Sequence, residues 1–173
     1  MNWSETLTQH LPAGLSMDDL RVVIAEHADP MAWPGPEPYM DANLPAACAR
    51  LIVKAWHPEL QGARFAHLYR QKLGGTDPCR VIGRAKKAGP ELVHLAQVDF
   101  IITYSFTAWI GLEWHQRLAL IDHELSHCGK DVDGAGWVTV PHDLAEFGNV
   151  VRRWGPWHDG ITAFQHQLEL FAR

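Results

Sequence analysis

Cysteine is scarce and unpatterned in this chain: Cys48, Cys79 and Cys128 are the only three among 173 residues, with no C-x-x-C spacing. That excludes a disulfide framework and a four-cysteine zinc knuckle, and reduced thiols are the expected state. No apolar run approaches the length of a membrane span. The start, MNWSETLTQHLPAGLS, has no basic segment, apolar core or small-residue cleavage site, so a cytoplasmic location is expected. Excess positive charge is missing as well. The formal net charge of -5 disfavours nonspecific nucleic-acid binding, and the short run Arg84-Ala85-Lys86-Lys87 reads most simply as a solvated strand end. Internal repeats and low-complexity tracts are also lacking.

What is present is a globular composition, 47% hydrophobic and 20% charged, in a length suited to one domain over residues 1–173. Three parts are expected within it: an N-terminal helix and Pro-rich loop (1–38), a core (39–157) and a C-terminal helix (158–173). The first helix is expected over about 17–27, followed by the loop DPMAWPGPEP. DANLPAACARLIVKAW predicts a helix to Trp56, with Pro45 in the harmless first turn and His57-Pro58 closing it. Extended segments are expected at 63–72, 79–87 and 99–106, while LVHLAQ (92–97) is ambiguous. GLEWHQRLALIDHELSHCG predicts a helix from about Glu113 to Cys128, stopped by Gly129. DVDGAGWVTV reads as a turn and then an extended piece. A further helix is expected from Pro141 or His142 to Trp154, and a last amphipathic one over 159–172.

The chemistry lies in His123-Glu124-Leu125-Ser126-His127. In a chain with 11 histidines, an H-E-x-x-H arises by chance at roughly the 4% level, so context must decide. On a helix, positions i and i+4 lie one turn apart on one face, so both histidines reach one cation while Glu124, about 100° round, reaches a water beside it. The apolar stripe Leu118, Ile121, Leu125 and Cys128 falls opposite the histidines. A solvated polar face is the plain alternative. A catalytic zinc needs a third protein ligand and an open position, and His142 or Glu146 could supply it. Asp122 and Asp143 are candidates to orient ligand imidazoles, and equally well explained as a cap or surface acids.

Over most of residues 43–157, RVIGRAKKAG, DFIITYSFTAW, the Asp122-His123-Glu124-Leu125 entry and Pro141-His142-Asp143…Glu146-Phe147 together resemble the phage metallopeptidase family. The chain is also similar, more distantly, to the SprT-like metallopeptidases, in which a third His follows the second at about the spacing from His127 to His142. That similarity favours His142 over Glu146 as third ligand, although Asp143 stands where the SprT pattern has Gly. The resemblance implies a compact α+β, zincin-like fold, with a small three- to four-stranded sheet packed on the H-E-x-x-H helix and flanking helices. It also implies a zinc (Zn2+) peptidase of phage or prophage origin, acting in the host cytoplasm on a protein or peptide substrate, with Glu124 as general base and His123, His127 and His142 as metal ligands. By analogy with such enzymes, the strand DFIITYSF is expected to hold the substrate as a sheet edge. Two other readings are an SprT-like protease acting on DNA-bound proteins, marked by salt-sensitive DNA binding, and a non-catalytic, metal-stabilised interaction module presenting some of the eight tryptophans. Neither a membrane nor nucleic acid is an expected partner.

Overall fold

The computed structural model describes residues 11–74, 81–142, 146–158 and 161–162. Ser16 caps the first helix, α1 (Met17–Glu26), by accepting from the Asp19 N–H at 3.3 Å. The Pro-rich segment after it is irregular and is tied down by Asp29. That carboxylate accepts from the Tyr69 hydroxyl at 2.7 Å, the Trp109 indole at 2.8 Å and the Arg117 guanidinium at 3.1 Å. A two-residue strand, β1 (Met40–Asp41), leads into α2 (Asn43–Trp56), which buries Leu44, Ala47, Cys48 and Ile52 on one face.

The strands β2 (Phe65–Arg70), β3 (Gly83–Lys87) and β4 (Phe100–Ser105) complete a four-stranded sheet in the order β1-β2-β4-β3. β2 and β4 run parallel, and the two outer strands are antiparallel to their neighbours. β4 is therefore interior, so the strand expected to be the sheet edge is not one; β3 holds that place. The reason lies in composition: DFIITYSF is β-branched and aromatic because both its faces pack, whereas the Gly- and Lys-containing β3 suits an edge. The ambiguous segment before β4 is a helix, α3 (Pro90–Ala96), with Pro90 in its first turn and Gln97 closing it in the left-handed conformation.

After β4 a short helix, α4 (Phe106–Trp109), replaces the end of the expected strand, and α5 (Trp114–Ser126) follows. Glu113 and Gln116 form a reciprocal capping box at its start. Its end differs from expectation. The last helical residue is Ser126, and Gly129 is not a cap but the middle of β5 (Cys128–Lys130), which pairs with β6 (Trp137–Thr139). Close packing explains the glycine, since a Cβ there would lie 2.8 Å from the Val140 side chain. Of the helix expected from Pro141 or His142, the described residues show α6 (Gly148–Trp154); Pro141, His142, Glu146 and Phe147 are not helical. Residues 161–162 are helical, and most of the expected C-terminal helix, with Asp143 and Cys79, lies outside the described residues.

α2 and α5 pack against each other and under the sheet, α2 against β2 and α5 against β3. The core joins Ile52, Phe100, Ile102 and Tyr104 to Leu118, Ile121 and Leu125, so the predicted apolar stripe of α5 is its buried face. None of the described helices is long and apolar enough to cross a membrane.

Candidate metal centre and active site

The first anchor of the site is Asp122, which has no exposed surface. It accepts from His57 Nε2 at 2.7 Å, from Arg153 Nε and Nη2 at 2.7 Å each, and from the Trp154 indole at 2.8 Å. Burial alone would raise its pKa, but the His57 and Arg153 hydrogen bonds outweigh it and hold the carboxyl below its ordinary value. Asp122 is thus a structural pin joining the ends of α2 and α6 to α5, and its hydrogen bonds go to none of His123, His127 and His142.

His123 and His127 project from α5 toward His142, and the three rings offer nitrogen atoms that all lie within 4.8 Å of one another. His123 Nε2 and His142 Nε2 are 3.2 Å apart. Phe147 packs edge-on against all three rings, at centroid distances of 5.4, 4.7 and 4.8 Å. His127 Nδ1 faces the Val140 carbonyl at 2.8 Å, and because a carbonyl only accepts, that nitrogen carries the proton and leaves Nε2 with its lone pair free. His123 Nδ1 likewise donates to the Glu146 carboxylate, whose Oε1 also accepts from the Phe147 N–H at 2.8 Å. Burial lowers the pKa of His127; burial of His123 is outweighed by its bond to Glu146 and by the charges of Glu124, Glu146 and Asp122, so its pKa is raised.

Of the two candidates for a third ligand, His142 joins the cluster and Glu146 stands behind His123. The sequence suggested both through an i, i+4 spacing on an expected helix, but neither His142 nor Glu146 is helical. What it did not suggest was the Val140 carbonyl, because main-chain partners carry no residue signature. Two polar side chains elsewhere in the fold, Tyr104 and Arg117, are engaged away from the cluster: the Tyr104 hydroxyl meets His67 at 3.1 Å, and Arg117 binds Asp29.

Glu124 is 3% exposed. The Ala85 backbone N–H donates to its carboxylate, while Oε2 is buried without a hydrogen-bond partner among the described residues. Burial is the main cause pushing its pKa up to about 7, helped by Glu146 and opposed by His123, the Ala85 N–H and Arg84. A carboxyl in that range exchanges protons near neutral pH.

A family model described as putative phage metallopeptidase matches residues 38–165. No curated protein and no solved structure matches the chain.

Proposed function

The chain belongs to the phage metallopeptidase family, and from that membership we propose that it hydrolyses peptide bonds with zinc held by His123, His127 and His142 and with Glu124 as general base. The observation that carries this reading is the convergence of three imidazoles, two of them with Nδ1 already committed to an acceptor. Three neutral nitrogens with carboxylate and carbonyl support are a donor set that suits zinc, and three protein ligands leave a position open. The orphaned Oε2 of Glu124 beside them fits a catalytic site better than a purely structural one. Bound zinc supplies a Lewis acid and lowers the pKa of a coordinated water toward about 7.

The protein's own groups do the rest. Glu124 takes a proton from the attacking water and passes it to the departing amine, a transfer its raised pKa favours. Glu146 holds the His123 ring in one tautomer and orientation, and the Val140 carbonyl does the same for His127. Phe147 limits water around the imidazoles. The substrate is an extended segment of a host or phage protein, aligned along the outer edge of β3, the edge strand that packs on α5.

The test is zinc per chain in tag-free protein, together with cleavage of a fluorescence-quenched mixed peptide library. Wild type should hold about one zinc and cleave the library; His142→Ala should lose both, and Glu124→Gln should keep the metal but lose cleavage. Cleavage surviving in Glu124→Gln would remove the proposed base.

A further inference from the structure

Gly83 begins β3 and pairs with Tyr104 on β4. An ideal Cβ built on Gly83 would lie 2.2 Å from Glu124 Oε1, 2.8 Å from its Cδ and 3.0 Å from its Cγ. The first of these is closer than the 2.8 Å approaches at Gly14 and Gly129, and the three together fall on the whole end of the glutamate rather than on one mobile atom. The neighbouring main chain completes the contact. Ser105 N–H bonds to the Ile82 carbonyl at 2.9 Å and Ala88 N–H to the Asp99 carbonyl at 2.8 Å, so residues 82 and 88 direct their backbone groups at β4. By the alternation of an antiparallel ladder, Gly83 and Ala85 direct theirs away from β4, to the outer edge of the strand, and it is there that the Ala85 N–H meets the Glu124 carboxylate.

We propose that Gly83 is a positioning residue for Glu124: the missing side chain at the start of β3 is the seat that lets the carboxylate lie against the strand edge. Seated so, one oxygen is held by the Ala85 N–H and the other is left without a partner, available for a proton. Any side chain at 83 must move either the glutamate or the strand. The role in turnover rests on Glu124 being the base; the seating itself does not.

Two measurements on Gly83→Ala separate these points. Zinc content should stay near that of wild type, while kcat on the quenched peptide library should fall at least about 100-fold, the scale of loss for a catalytic group misplaced by about an ångström. In metal-free protein, Gly83→Ala should lower the thermal midpoint by about 4 °C in the wild-type background and by less than about 1 °C in a Glu124→Ala background, where the clashing atoms are gone. Equal shifts in the two backgrounds, loss of zinc, or kcat within about threefold of wild type would overturn the proposal. A wild type that cleaves nothing would count against the peptidase reading alone, because the stability comparison decides the seating without turnover.

Discussion

A carboxyl kept dry at neutral pH should cost the protein stability, and Glu124 allows the cost to be worked out. Its pKa rises from the ordinary 4.5 to about 7, with burial as the main cause. Because the folded value lies above the unfolded one, the folded state binds the proton more tightly. The associated stability is fully present below about pH 4.5 and is lost as pH rises through about 7. Converted at about 1.4 kcal/mol per tenfold change, that span is about 3 kcal/mol. Glu124→Gln replaces the carboxyl by a neutral group of nearly the same shape, so it should leave stability little changed at about pH 4.5 and raise it by about 3 kcal/mol at about pH 8. In a protein of this length that corresponds to roughly 6 to 12 °C in thermal midpoint. The assay is urea unfolding of chelator-treated protein, wild type against Glu124→Gln, from about pH 4.5 to about 8.5; taking the difference cancels titrations common to both chains. A difference that stays flat with pH, or one that favours wild type as pH rises, would refute the reasoning.

Glu146→Gln should retain about one zinc per chain but bind it about 10- to 100-fold more weakly, as expected when an imidazole loses its supporting carboxylate, measured by competition with a chromophoric chelator. Loss of zinc as complete as in His142→Ala would instead make Glu146 a ligand. Asp122→Asn should destabilise the fold by about 3 to 5 kcal/mol by leaving Arg153 without its buried partner, as read by urea unfolding at neutral pH. The sign with pH is opposite to that of Glu124: the folded pKa of Asp122 is depressed, so its contribution is present above the ordinary carboxyl range and lost as pH falls through the folded value. Wild type and Asp122→Asn should therefore converge in acid, and a gap that persists there would point to packing rather than charge.

Much of this fold was legible wherever one element carries a strong local pattern. α2 and α5 follow from apolar spacing, with Pro45 and His57-Pro58 as punctuation for the first, and β2 and β4 follow from alternating or β-branched runs. What local pattern does not encode is the order of strands. The run that most resembles a strand, DFIITYSF, is the one sheltered on both sides, and hydrophobicity of that degree signals an interior position rather than a sheet edge. The i, i+4 spacing of His142 and Glu146 misled for a related reason. Neither of these two residues is helical, and α6 occupies Gly148–Trp154, while His142 and Glu146 each lie against the imidazole of His123.

The candidate site divides along the same line. H-E-x-x-H exposes two imidazoles and a carboxylate because they share one helical turn, whereas the spacing left His142 and Glu146 both open and the resemblance alone favoured His142. The seat of Glu124 is invisible to both kinds of reading, since it is made by the absence of a side chain at Gly83 and by a backbone N–H at Ala85, in a strand that joins the helix only in three dimensions. A glycine in a short, basic strand reads as weakness in that strand. Against α5 it has the opposite meaning: the only residue type without a Cβ stands where the Glu124 side chain needs room, so the same feature that makes β3 a poor strand makes it a fitting wall for that carboxylate.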